Sequence, residues 1–203
     1  LPNFCQRSDD GGRSFGPGVA FATGQACGGL HGHVRVGPDG DVHVPDKSCG
    51  AGPGYSVSSN AGVTWKDVVV PGLTVGGEDP SIGIATDGTL YFCNVNANGR
   101  VMATVSKDKG VSWSTPQDLG AAFGIKNVVF PNAIAGDPDR AACAFIGTTV
   151  EGNHDALSFQ GIWYPYIAHT YDGGASWTTV SISPNDPVQG VGGICRGGTT
   201  CMN

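Results

Sequence analysis

The chain has 203 residues, enough for one sizeable domain. Glycine is abundant (34) and charged side chains make up only 14%, which suits a turn-rich all-β protein and argues against a disordered or coiled-coil one. The net charge is −6 with no Lys/Arg run, so the clustered cations that nucleic acid requires are missing, and no apolar stretch reaches the length of a membrane span.

Read in chain order, residues 1–22 form two strands joined by Ser8-x-Asp10-x-Gly12-x-Ser14-Phe15. Residues 31–71 make the first complete unit. An apolar run at His33–Val36 meets the tight turn Pro38-Asp39-Gly40, a second run at Val42–Val44, a loop, and Ser58-x-Asn60-x-Gly62-x-Thr64-Trp65. Residues 79–119 repeat the order with Ser81–Ala85, Thr86-Asp87-Gly88, Leu90–Val95 and Ser106-x-Asp108-x-Gly110-x-Ser112-Trp113. Residues 127–183 repeat it again with Asn132–Ala135, Pro138-Asp139-Arg140, Ala141–Ile146 and Thr170-x-Asp172-x-Gly174-x-Ser176-Trp177. Residues 184–203 read as a connector.

Two independent repeats thus share one register. Asp-Gly between apolar runs is a hairpin signal. In the octapeptides the Asp or Asn can bond backbone two residues on, the Gly can take positive φ, and the closing aromatic anchors the turn. Each unit becomes strand A, tight turn, strand B, loop, strand C, octapeptide turn, strand D, which is a four-stranded antiparallel propeller blade. The step from turn Asp to octapeptide is 19 residues for Asp39 to Ser58 and for Asp87 to Ser106, but 31 for Asp139 to Thr170. The third unit therefore carries an insertion between strands B and C, around Thr148–Gly161. Strands alternate in direction, so A–B turns and octapeptides share one rim, and B–C and D–A loops, with the insertion, share the other.

The octapeptides resemble the Asp-boxes, or BNR repeats, of sialidase-like β-propellers. Three match fully, and the first differs only by Phe15 in place of Trp. The resemblance implies an all-β propeller whose ligand face is the rim opposite the boxes, and a secreted protein of glycoside hydrolase type acting on glycans. The alternative is a non-catalytic propeller that binds a glycan or protein partner. About three and a half blades are present where the family usually closes with six or more, so the chain reads as part of a larger six- or seven-bladed ring, as a fragment or with another chain completing it. Sialidases grip a carboxylate with an Arg triad and use a Tyr–Glu pair and an Asp acid. The six arginines here, Arg7, Arg13, Arg35, Arg100, Arg140 and Arg196, include several in turns, and no Phe/Tyr-Arg-Ile/Leu-Pro motif occurs.

Asp10, Asn60, Asp108 and Asp172, with Trp65, Trp113 and Trp177, read as structural parts of the turns. Catalysis or calcium binding is the other reading of the four polar residues, and no other cofactor is implied. Glu78 and Asp79 precede strand A of the second unit, and Glu151 and Asp155 lie in the insertion; these carboxylates are the catalytic candidates, since a glycosidase needs an acid and a base or nucleophile. The other reading is an acidic loop over packed aromatics. His31, His33, Arg35, Asn127, His154 and Trp163 are the candidate substrate-binding residues. His31 and His33 could share one strand face and hold a metal, with His43 as a third ligand, or line a polar channel.

Seven cysteines without a C-x-x-C pair suit an oxidising compartment, extracellular or periplasmic. Cys27–Cys49 and Cys195–Cys201 are the expected disulfides, placed in loops. Cys93 and Cys143, read as corresponding positions of successive B strands, are expected to stay reduced, which leaves Cys5 unpaired.

Overall fold

The computed structural model describes residues 3–22 and 27–194. Apart from one 3-10 turn at Ala121–Phe123, all regular structure among the described residues is β. Strands β1 (Asn3–Cys5) and β2 (Val19–Phe21) form a two-stranded sheet. In the next sheet β3 (Cys27–His31) and β4 (Arg35–Val36) both pair with β5 (Val42–Cys49), followed by β6 (Gly54–Ser58) and β7 (Lys66–Val69). Strands β8 (Ser81–Ile84), β9 (Leu90–Val95), β10 (Val101–Ser106) and β11 (Gln117–Asp118) make the third sheet. Strands β12 (Asn127–Ala135), β13 (Ala141–Thr148), β14 (Tyr164–Thr170) and β15 (Thr178–Ser181) make the fourth. Every pairing is antiparallel and, apart from β3 with β5, between chain neighbours, and the sheets stack face to face as propeller blades. Among the described residues no helix is long and apolar enough to cross a membrane.

The octapeptide turns explain why each hairpin forms where it does. In the third, Ser106 Oγ donates to Asp108 Oδ1 (2.8 Å) and accepts the Gly110 N–H (2.7 Å), while the carboxylate accepts the Ser112 N–H (2.8 Å) and hydroxyl (2.5 Å). Asp10 and Asp172 repeat this network with Ser14 and Ser176. Gly110 has φ +86° and Lys109 before it φ +57°, so two successive left-handed residues reverse the chain. A side chain at Gly110 would also strike the Tyr55 hydroxyl.

The closing Trp of each turn seats on the sheet before it. Trp65 lies 5.1 Å from Phe21, Trp113 6.2 Å from Tyr55, and Trp177 6.3 Å from Tyr91, measured between ring centroids. Phe15 is exposed, with no sheet before it among the described residues. The turns also tie the blades along one rim: Lys109 Nζ pairs with Asp39 at 2.5 Å, and Tyr91 hydroxyl donates to Pro138 O at 2.7 Å. Between the sheets lie apolar cores, the largest joining Cys93, Val95, Val101 and Ala103 to Ala133, Cys143, Phe145 and Ala168.

Two sequence expectations need correction, and a third lies outside the described residues. Cys27 and Cys49 do form a disulfide, but they are paired residues of β3 and β5 rather than loop residues. Cys195 and Cys201 lie outside the described residues. Ile84 pairs with Leu90 and Ala135 with Ala141, which makes Cys143 the counterpart of Phe92 and not of Cys93. That one-residue offset turns the two cysteines toward each other across the blade interface, both buried and both free thiols. Burial and the neighbouring Cys143 hold the Cys93 thiol well above its ordinary range.

Candidate functional site

On the rim away from the octapeptide turns, loops of two adjacent blades enclose a cavity of about 350 Å³. Gly77 and Glu78 come from the connection before β8, Asn96 to Gly99 from the β9–β10 loop, Lys126 and Asn127 from the start of β12, and Glu151, Gly152 and His154 from the insertion. Four of the residues singled out in the sequence therefore meet: Glu78, Asn127, Glu151 and His154.

Asn127 holds this wall together. Its Nδ2 donates to Val150 O (2.9 Å) and Gly152 O (3.1 Å), and its Oδ1 lies 3.2 Å from His154 Nδ1. The His154 ring then stands edge-on to Trp163 (5.8 Å) and Phe159 (6.4 Å). Glu78 is buried, and its Oε2 accepts the Phe130 N–H at 3.4 Å. Phe130 sits where the β12–β13 register shifts between Val129 and Asn132, with φ +55° and its ring exposed. A non-glycine residue held in the left-handed region stores strain of the kind that collects at binding sites. Glu151 stands exposed at the mouth.

The other candidates lie elsewhere. Trp163 is fully buried, donates to Gly192 O at 2.7 Å and packs with Val129 and Phe159, so its ring has no face to offer a sugar. Asp155 is exposed outside the cavity wall, 4.0 Å from His154 Nε2. Arg35 lies on β4 and reaches across to β12, with Nη2 3.4 Å from Asn132 Oδ1. Asp79 is also outside the cavity, half-buried beside His31, His33 and Lys47, and burial raises its carboxyl above the usual range.

His31 and His33 do not share a strand face, because residues 32–34 leave the sheet between β3 and β4. His43 sits farther along β5, opposite Arg35, and lines a separate cavity of about 200 Å³ on the turn rim with Asp39, Asp41 and Lys109. Burial lowers its imidazole below the ordinary value. Two residues beside the sites escape the sequence reading. Asp46 is a fully buried carboxylate on β5, and with Lys47 and Ser48 beside it the sequence gives no sign of its burial. Phe130 carries no signal, since a bulge leaves none in a two-residue period.

No family model matches the chain. The L,D-transpeptidase 2 of Mycobacterium tuberculosis is 33% identical over 92 residues, which covers 39% of this chain and 22% of that protein. Among solved structures, a leech intramolecular trans-sialidase complexed with 2,7-anhydro-Neu5Ac superposes with a TM-score of 0.52 at 19% identity, over 87% of this chain and 29% of that one. A mutant of the NanB sialidase of Streptococcus pneumoniae gives 0.52 at 15% identity, over 80% of this chain and 25% of that one. The fold is therefore that of a sialidase-like β-propeller. The chain spans under a third of the length of each of these proteins.

Proposed function

We propose that this chain is part of an Asp-box (BNR) propeller of sialidase-like type that acts on glycans outside the cytoplasm, with its ligand face on the rim away from the boxes. The observation that carries this reading is the cavity shared by Glu78, Asn127, Glu151 and His154. Its chemistry suits glycosidic cleavage, which needs one carboxyl to protonate the leaving oxygen and another to attack or to activate water. The Phe130 N–H aimed at Glu78 Oε2 orients that carboxyl, and Glu151, open to solvent, supplies the second one. Asn127 and His154 supply polar contacts for sugar hydroxyls. The proposed division of the chain is a partial blade at 1–22, whole blades at 31–71, 79–119 and 127–183, and a connector at 184–203. The Cys27–Cys49 disulfide supports an oxidising location.

A second reading is a propeller that binds a glycan or protein without turnover. It is favoured by the arginines. Among the described residues Arg7 pairs with Asp9 in the first box, Arg140 lies in an A–B turn beside Asp137, and Arg100 donates to Ile125 O. Among the described residues only Arg35 and Arg100 lie outside the boxes and A–B turns, and no triad forms from two. The full-length protein should be screened against sialosides and a glycan panel, with binding and released sugar measured together. Release that Glu78→Gln and Glu151→Gln both abolish supports the enzyme, and binding without release supports the second reading. Neither binding nor release removes both.

A further inference from the structure

Asn127 and Val128 line the cavity, and just beyond them strand β12 breaks its alternation at Phe130. Val129 pairs with Ile146 and Asn132 with Ala144, so Phe130 and Pro131 together stand opposite the single residue Phe145. That is a β-bulge, and a left-handed residue in a bulge is ordinarily glycine. Here it is phenylalanine, at φ +55°. The proline that follows favours extended backbone in the residue before it, so the conformation is disfavoured a second time. Buried Val129 and Pro131 hold the backbone on either side, while Phe130 itself is 49% exposed. Among the described residues its ring joins none of the apolar cores. Its N–H reaches Glu78 Oε2 at 3.4 Å, which ties the bulge to the cavity that Glu78 lines.

A strained, exposed aromatic at a position that suits glycine is a cost to folding, and such costs collect where a ligand is bound. The C–H face of a pyranose ring is apolar. An exposed aromatic ring offers it a flat surface whose burial is favourable and needs no hydrogen bond. The cavity itself, at about 350 Å³, is at the small end for ligand pockets and has room for one sugar but not for a chain of them. We propose that Phe130 is a binding platform for a second sugar, stacked beside the one in the cavity, so that the ligand is an oligosaccharide of two or more pyranose units. This rests on the glycan reading above and adds the length of the ligand to it. Stacking asks only for an apolar ring face, so the platform selects for length, whereas Asn127, His154 and the two carboxyls select the sugar that enters the cavity. The hydrogen bond from Phe130 N–H to Glu78 joins the two subsites: the bulge that presents the ring also orients the carboxyl.

The test uses the full-length protein, titrated calorimetrically with lactose, cellotriose, chitotriose and 3′-sialyllactose and with the single sugars that compose them. Expected is at least one oligosaccharide that binds tighter than its own single sugars. Phe130→Gly and Phe130→Asn both suit a left-handed backbone and both remove the ring. Each should weaken that oligosaccharide about tenfold and leave the single sugars unchanged. Each should also melt at or above the wild type, because strain is relieved and no core is emptied. Phe130→Tyr should bind as the wild type does. The proposal is overturned if both ring-free variants keep the oligosaccharide affinity, or if they lose the single sugars equally, which would place the effect in Glu78. It is also overturned if both melt several degrees lower, which would make the ring packing, within this chain or under a further blade. Glycan binding without dependence on Phe130 removes only the platform and leaves the glycan reading standing. No binding of any of these sugars removes the platform and the glycan reading together.

Discussion

At the scale of single residues the octapeptide turns offer a natural comparison. Asn60 occupies the position that Asp10, Asp108 and Asp172 hold in the other copies. Its Oδ1 accepts the Thr64 N–H at 2.8 Å, as Asp108 accepts that of Ser112, and its Nδ2 donates to Thr64 Oγ1 at 2.8 Å where Asp108 accepts from Ser112 Oγ. Only the direction of one hydroxyl bond reverses. Asp108→Asn should therefore melt close to the wild type at neutral pH, whereas Asp108→Ala, which loses the whole network, should melt several degrees lower. Acid separates the two chemistries. Hydrogen bonds from the Ser112 hydroxyl and N–H, then from Ser106, lower the Asp108 carboxyl from 3.8 to about 2, and Asp10 and Asp172 are lowered to about 2 by the equivalent groups. A depressed folded value means that the stabilisation is present in full above about 3.8 and is lost as pH falls through about 2. Melting curves between those values should fall less steeply for the triple variant Asp10→Asn, Asp108→Asn, Asp172→Asn. An equally steep fall would place the acid-labile groups elsewhere.

At the scale of elements the insertion between β13 and β14 is both wall and wedge. Sequence reading makes it a segment that the blade does not need, because it is surplus to the 19-residue step. The structure shows otherwise: Phe159 and Trp163 fill a core with Val129, and Asn127 clamps residues 150–154 to β12. Trp163→Ala should accordingly cost about 3–5 kcal/mol by urea unfolding, the usual penalty for emptying a large core site. Glu151→Gln changes an exposed side chain on the same segment and should leave the urea midpoint in place while reducing ligand binding or turnover. Equal effects of both on stability would mean that the outer wall is packing as well. The strands and turns are legible in the sequence because Asp-Gly and the octapeptides recur in register and each carries its own local hydrogen-bonding logic. The site is only partly legible. Glu78, Glu151, Asn127 and His154 can be placed on one rim by counting strands, yet which of them meet depends on packing that no periodicity encodes. Register shifts at Gly28/His31 and Val129/Asn132 break the two-residue alternation, which is why His31 faces Asp46 instead of joining His33.

At the scale of the whole molecule, the far face of the fourth sheet decides what this chain needs around it. Tyr91, Cys93, Ala103 and Val105 of the third sheet are buried under β12–β15. Ala142 and Ala144, the counterparts of Tyr91 and Cys93, are only half-buried, as is Ile167, while Ile134, Val180 and Tyr171 are exposed. A shallow hollow of about 410 Å³ lies there, lined by Ile134, Ala142, Ile167, His169 and Tyr171. An apolar sheet face of this extent marks a surface meant to be covered. Each closing Trp in this chain sits on an aromatic of the sheet before it, so a further four-stranded blade bringing its own closing Trp is the occupant that fits. Produced as these 203 residues alone, the protein should self-associate as its concentration rises, because none of the described residues shields that face. Ile134→Lys combined with Ile167→Lys should restore the monomer in light scattering at unchanged melting temperature, since neither side chain belongs to a core of the chain itself. The double variant should also block association with a separately produced following blade. If the unaltered chain stays monomeric at every concentration, or if the two lysines lower the melting temperature without changing the mass, the face is not a blade interface and the proposed larger ring loses its support.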